Sequence, residues 1–129
     1  MSASEGRAIR LTDDPETVRE TVLEHAYSGG RESADAHREH GGDPSVDVAF
    51  QYLRFCFERD DDRLAELAER YRAGDLLSGE LKAAAVERIA DFLEAHQRRR
   101  EALGNLREEL APYRLRETER DRLRADPLE

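Results

Sequence analysis

Four consecutive residues, Gly29-Gly30-Arg31-Glu32, combine what a nucleic-acid contact needs. A glycine pair lets backbone come close to a ligand. Arg31 carries a planar guanidinium that can fork onto phosphate or stack on a base. Glu32 can accept a hydrogen bond from the amino group of a cytosine. The same residues also fit a helix C-cap followed by a solvated Arg–Glu pair, and local chemistry leaves both readings open. A second basic group, Arg98-Arg99-Arg100, begins the one Arg-rich region, which continues through Arg107 to Arg124. Acids interrupt it throughout. A solvated helix face laced with i, i+4 pairs is the default there, and an RNA-backbone contact from Arg98 or Arg99 is the functional alternative.

Other chemically capable residues point to structure. His37 and His40 stand three apart and can share a helical face, but no further residues complete a recognisable metal set, so no metal is expected. His25 and His96 read as packing or capping residues. Asp60-Asp61-Asp62 fits a helix start better than a cation site. The aromatic group Phe50, Tyr52, Phe55 and Phe57 reads as core rather than as a platform for stacked bases. Cys56 is the only cysteine, which excludes an internal disulfide and a cysteine-rich zinc site and fits a reducing cytoplasm.

The chain has 129 residues, of which 40% are charged and 6% aromatic, with a net charge of −9. Thirty acids stand beside twenty Arg and a single Lys, Lys82. Abundant carboxylates with almost no Lys fit a salt-rich (halophilic) cytoplasm, where acids hold hydration and charge is screened within about 3 Å at 1 M salt. A GC-rich genome also favours Arg over Lys. Residues 1–95 carry 12 basic and 22 acidic residues, net −10, whereas residues 96–129 carry 9 and 8, net +1. Attraction to phosphate must therefore come from local Arg groups. No apolar run approaches the roughly 18 residues of a membrane span, and the polar N-terminus is no secretory signal.

The elements that must position these residues read as helices. Asp14-Pro15-Glu16 supplies a cap, a first-turn proline and an acid at the positive end of a helix that carries Val18, Val22 and Ala26 on one face. Gly29-Gly30 is expected to stop it through a left-handed cap. Ser33 caps a short helix through His40, ended by Gly41-Gly42, and Asp43-Pro44-Ser45 restarts the chain. Val46 to Phe57 is the most apolar stretch. Its period does not separate strand from helix, and the flanking helices favour a helix buried on most sides. Asp60-Asp61-Asp62 opens a helix with Leu64, Leu67, Ala68 and Tyr71 on one stripe, ended by Gly74. Ser78 caps a long helix with Leu81, Ala84, Ala85, Ile89, Phe92 and Leu93 inward, running to Gly104 or towards Leu110 and stopped by Pro112. Residues 113–129 are expected to fray. The expectation is all-α: a bundle of about five helices with a loop-like N-terminus and a charged C-terminal tail.

Three stretches carry a family resemblance: His25-Ala26-Tyr27-Ser28-Gly29-Gly30-Arg31 leading to His37-Arg38 and Gly41-Gly42; Val46-Asp47-Val48-Ala49-Phe50-Gln51-Tyr52-Leu53 before an acidic run; and Tyr71, Gly74 and Leu77-Ser78-Gly79-Glu80-Leu81-Lys82 before Ala95-His96-Gln97-Arg98-Arg99. In order and spacing they resemble the tryptophanyl-tRNA synthetases of archaeal and eukaryal type, over about residues 9–100. Met1-Ser2-Ala3-Ser4 resembles the end of the Lys-Met-Ser-Ala-Ser form of the second ATP motif, without its Lys. Residues 101–129 match poorly, and no role is carried onto them.

The resemblance implies three segments: residues 1–11 as a remnant of the ATP-motif loop, 12–110 as a helical anticodon-binding domain, and 111–129 as a charged tail. It implies tRNA for tryptophan as partner, with Gly30, Arg31 and Glu32 at the first anticodon base, a cytosine; the family has Asp more often where Glu32 stands. It implies a catalytic domain, in cis or in trans, that uses ATP with Mg, while full-length members are dimeric. The chain by itself is then expected to be non-catalytic, without cofactor and monomeric. It is either the end of a complete tryptophan–tRNA ligase that begins further upstream, a free-standing tRNA-binding module, or the remnant of a duplicated synthetase gene.

Overall fold

The computed structural model describes residues 8–125, and Met1, Ser2, Ala3 and Ser4 lie outside them. Among the described residues there are seven α-helices and no strand: α1 Pro15–His25, α2 Ala34–His40, α3 Val48–Tyr52, α4 Asp61–Ala73, α5 Ser78–Ala102, α6 Leu106–Glu109 and α7 Glu117–Ala125. A π-helical turn, Leu53–Phe57, continues α3, and a 3-10 turn, Ala111–Tyr113, follows α6. The all-α expectation holds. The two helices beyond the expected five are α6, where the long helix was expected to run on towards Leu110, and α7, in the region expected to fray. The chain divides into two compact units between Gln97 and Arg98. None of the described helices is long and apolar enough to cross a membrane.

Short-range chemistry sets most helix starts. Asp14 accepts the Thr17 amide at 2.8 Å, Ser33 the Ala36 amide at 3.1 Å, and Asp60 the Asp62 and Arg63 amides at 3.0 and 3.2 Å. Each satisfies donors that a helix start leaves unpaired. Two starts differ from expectation. Asp43 accepts from the Ser45 amide at 2.8 Å, and the cap of α3 is Asp47, which accepts from Phe50 N–H at 3.1 Å. Ser78 is the first residue of α5 rather than its cap, and the Glu80 carboxyl reaches back to the Leu77 amide at 2.8 Å. The Ser78 hydroxyl is committed elsewhere, to Tyr71 at 2.9 Å.

Helix α5 is the spine of the first unit. Its early residues Leu81 and Ala85 join Ala49, Phe50, Leu53, Leu67, Ala68, Tyr71 and Leu76 in one apolar cluster. One and two turns later, Ile89 and Leu93 pack on Val18 and Val22 of α1. Each fully buried Leu or Ile contributes about 1.5–3 kcal/mol, so these two clusters hold α1, α3 and α4 to one helix. The apolar run 46–57 is buried on one side only. Ala49, Phe50 and Leu53 face the core, whereas Phe55 is 70% exposed and Tyr52, Cys56 and Val46 are exposed. Of the expected aromatic core, Phe50 is buried and Phe57 is half-buried against the Val18, Val22, Ile89 and Leu93 cluster, whereas Tyr52 and Phe55 are exposed. In the π turn Glu58 N–H reaches Leu53 O at 2.9 Å, one residue further than an α-helix allows, and this takes the later side chains off the core face. Phe92, also expected inside, is 46% exposed and meets Phe57 edge-on at 5.5 Å, because Ile89 and Leu93 occupy the inward stripe.

Glu58 ties the end of the π turn to α4 and α5. Its side chain is 5% exposed and accepts from the Arg59 and Asp60 amides at 2.9 and 3.1 Å, from Arg88 Nε at 3.1 Å, and meets Arg63 Nε at 3.5 Å. Burial alone pushes this carboxyl's pKa up. The Asp60 amide, Arg88 and the Arg59 amide outweigh it and hold the group below its ordinary 4.5. A depressed folded-state pKa stabilises above the unfolded value, and that contribution is lost as pH falls through the folded one. Glu58→Gln is expected to cost about 1–3 kcal/mol near pH 7. The gap to the unsubstituted chain should narrow in acid, below 4.5, as the carboxyl is protonated through its depressed folded-state pKa. Denaturant melts near pH 7 and in acid check this; a gap undiminished in acid counts against it.

Candidate RNA-binding site

Helix α1 stops at His25, and Ala26 is already extended, with φ −72° and ψ 120°. Neither Gly29 nor Gly30 has a positive φ, so neither forms the left-handed cap expected of them. Residues 27–30 instead pair their backbone with residues 43–48. Val48 N–H donates to Tyr27 O at 3.0 Å, Asp43 N–H to Gly29 O at 2.9 Å, and Gly29 N–H to the Asp47 carboxyl at 2.9 Å. The glycines are required by packing. A Cβ on Gly29 would run into the Asp43 carbonyl, and one on Gly30 would run into Ser78 Oγ, with His37 Nδ1 beside it.

A buried polar network holds this segment. Asp47 is fully buried, and its carboxyl accepts from Gly29 N–H, Phe50 N–H and the Tyr71 hydroxyl, the last at 2.9 Å. With its proton directed to Asp47, the Tyr71 oxygen accepts from Ser78 Oγ at 2.9 Å and faces Ser28 Oγ at 3.4 Å. Burial pushes the Tyr71 phenol above its ordinary pKa; Ser28 and Ser78 oppose this and Asp47 adds to it. Tyr71 therefore remains a proton donor at neutral pH. The network spans the loop after α1, the start of α3, the end of α4 and the start of α5.

The next two side chains emerge from this anchored backbone. Arg31 and Glu32 are exposed. Arg31 Nε donates to Gly41 O at 2.8 Å, which fixes the arginine by its inner nitrogen. Beside them lies a hollow of about 270 Å³ lined by Arg31, Glu32, Ser33, His37, Ser78 and Gly79, among others. Its size falls below the roughly 300–1,000 Å³ of drug-sized ligand sites, which suits one flat base. His37, from α2, reaches it while 2% exposed. Its Nε2 lies 3.0 Å from Leu76 O, and a carbonyl only accepts, so Nε2 carries a proton. His40 points away to Glu39 at 3.8 Å, so the two histidines do not act together.

A larger hollow, about 680 Å³, is lined by Phe57, Glu58, Arg59, Asp60, Asp61, Asp62, Arg88, Asp91 and Phe92. Five carboxyls against two guanidiniums make it unfit for a phosphate backbone. Of the residues singled out from the sequence, Arg31 and Glu32 come together at the smaller hollow, and Gly30 precedes them in the chain without lining it. Arg98 and Arg99 lie late in α5, in the second compact unit, and are exposed. Sequence reasoning missed Asp47, Tyr71 and Ser78 as supports and His37 as part of the lining. A single acid inside the most apolar stretch, between Val46 and Val48, was the available signal for Asp47.

The family pattern described as tRNA synthetases class I (W and Y) matches residues 1–94. This chain belongs to that family. Among curated relatives it is 59% identical to tryptophan–tRNA ligase 2 of Halobacterium salinarum over 124 residues, 96% of this chain and 33% of the relative. It is 44% identical to the cytoplasmic tryptophan–tRNA ligase of Saccharomyces cerevisiae over 126 residues, 95% of this chain and 29% of the relative. The tryptophanyl-tRNA synthetase of Giardia lamblia superposes with a TM-score of 0.74 at 37% identity, covering 78% of this chain and 25% of that one. The chain thus spans about a third or less of these synthetases and corresponds to their C-terminal part.

Proposed function

We propose that this chain is the anticodon-binding portion of a tryptophan–tRNA ligase, with tRNA for tryptophan as its partner. Residues 12–110 form the binding domain in this reading, and Gly30, Arg31 and Glu32 its reading edge. The observation that carries it is the anchoring of Gly29-Gly30 by Asp47, Tyr71 and Ser78. Two exposed side chains able to contact phosphate and a base edge are thereby held in place beside a hollow of base size. Arg98 and Arg99 serve as secondary contacts to the RNA backbone, and residues 111–129 as a charged tail.

Amino-acid activation, with ATP and Mg, belongs in this reading to a catalytic part supplied in cis or in trans. Met1, Ser2, Ala3 and Ser4 are the residues of this chain assigned to its ATP motif, and no chemical step is assigned to residues 8–125. The isolated chain is a monomer in a salt-rich cytoplasm, and dimerisation belongs to the full-length enzyme. Joint replacement Arg31→Ala and Glu32→Ala is expected to weaken binding of tRNA for tryptophan by on the order of tenfold or more. The helical circular-dichroism signal should not change, since neither side chain is in the core. Filter binding in concentrated KCl checks this, and an unchanged affinity overturns the reading.

A further inference from the structure

Three aromatic rings of the first unit touch one another in a strip along its surface. Tyr52, at the end of α3, meets Phe57 of the π turn at 6.4 Å, and Phe57 meets Phe92 of α5 at 5.5 Å. Tyr52 is 38% exposed and Phe92 46%. Exposed apolar surface that is contiguous rather than scattered marks an interaction site. At one end of the strip lies a small crevice where Tyr52 stands with Ile9, Val22, Ala26 and Val48. At the other end Phe57 and Phe92 enter the acidic hollow of about 680 Å³. Glu58 is engaged there by Arg88, and Asp60 by the amides that begin α4. Asp61, Asp62 and Asp91 have no ion pair among the described residues.

We infer that the Tyr52–Phe57–Phe92 strip is the docking face for the upstream catalytic part, which meets it with an apolar centre and with Arg or Lys opposite Asp61, Asp62 and Asp91. This rests on the reading of the chain as one portion of a ligase and adds the surface that joins the portions. This chain corresponds to the C-terminal part of its relatives, so most of such an enzyme lies on its N-terminal side. Ile9 packs beside Tyr52 and on the same apolar cluster as Phe57, so an upstream part joins the chain next to the strip. Gln97 Nε2 donates to Leu11 O and Asp13 O, both at 3.0 Å, which fixes the course of the entering backbone. The reading edge stays clear, because Ser78, beside Gly30, and Phe92 stand about 20 Å apart along α5. A second copy of this chain fits the strip badly. Two-fold pairing sets a patch against itself, and Asp61, Asp62 and Asp91 would then face their own equivalents.

Cys56 reports on the strip, since it is exposed, is the chain's only cysteine and adjoins Phe57. The test follows its alkylation by iodoacetamide, read from peptide masses, in the chain alone and in a fusion. The fusion carries this chain in place of the last third of the Halobacterium salinarum ligase. Alkylation is expected to be at least about tenfold slower in the fusion. Phe92→Glu should bring the fusion to within about threefold of the free chain with the same substitution, and Asp91→Arg part of the way. Neither variant should change the fusion's affinity for an RNA hairpin bearing the anticodon loop of tRNA for tryptophan. Equal alkylation of fusion and free chain overturns the inference. A free chain whose alkylation slows with concentration as its mass doubles assigns the strip to a second copy and overturns it. Protection of Cys56 in the free chain by the hairpin assigns the strip to RNA and overturns it as well. A fusion that shields Cys56 yet does not distinguish the hairpin from a scrambled one supports this inference and removes the anticodon reading alone.

Discussion

Asp47→Ala is expected to destabilise the first compact unit by about 3–5 kcal/mol, a large part of the 5–15 kcal/mol that typically holds a domain together. The effect exceeds that of an ordinary cap because three donors depend on one buried carboxyl. Gly29 N–H, Phe50 N–H and Tyr71 O–H all end on it. Asp47 is 0% exposed, so alanine would leave the Gly29 and Phe50 amides without their acceptor and force the Tyr71 hydroxyl to turn to Ser78 Oγ. Tyr71→Phe removes a single partner and should cost about 1–2 kcal/mol. Asp47→Asn should fall between them, since its amide nitrogen must face at least one donor. The difference between the variants is as diagnostic as the largest value, because a network costs more to break at its hub than at its edge. Urea denaturation followed by circular dichroism gives the ranking. A loss below about 1 kcal/mol for alanine would show that the hub is not where the geometry places it. The same variant should bind RNA poorly even at temperatures where it remains helical, as the Gly29-Gly30 backbone loses its anchor.

Local chemistry made much of this fold legible in advance. Asp14, Ser33 and Asp60 cap helices because a side-chain oxygen two or three residues before an unpaired amide is a short-range fact. Gly74, with φ +83°, ends α4 as expected. What the sequence hid was long-range. Gly29-Gly30 looks like a helix stop, yet α1 has ended four residues earlier, because the following backbone pairs with residues 43–48. Nothing near residue 29 announces a partner eighteen positions away. Phe55 and Phe92 read as core by residue type. The extra residue in the π turn and the prior claim of Ile89 and Leu93 on the inward stripe decide otherwise. At the site, Arg31 and Glu32 were legible as exposed chemistry on a glycine turn. His37 was visible only as half of a histidine pair, and the second half proved irrelevant. Family resemblance located the turn; only the fold showed that the turn's glycines make room for Ser78 and His37.

Gly41→Ala is the substitution expected to separate backbone strain from packing, at a cost of about 2–4 kcal/mol. Gly41 combines φ +67° with ψ 173°, a conformation that residues with a Cβ avoid, and its open side lies against the Arg72 carbonyl. Gly104, with φ +65°, has open space where its Cβ would stand, so Gly104→Ala should show the dihedral cost alone, about 1 kcal/mol. Gly79 has neither problem and lies inside α5, so Gly79→Ala should be neutral or stabilising by up to about 1 kcal/mol. The excess of Gly41 over Gly104 then measures the approach of α2's C-terminus to the end of α4. That approach matters for function because the Gly41 carbonyl receives Arg31 Nε and the neighbouring Gly42 amide donates to Tyr71 O at 2.8 Å. Moving Gly41 away from Arg72 shifts the acceptor that aims Arg31. Gly41→Ala should therefore weaken RNA binding in a chain that still shows helix, whereas Gly79→Ala keeps that aim. Equal stability for the Gly41 and Gly104 variants would mean that α2 and α4 part freely, and that Arg31 is not held by this joint.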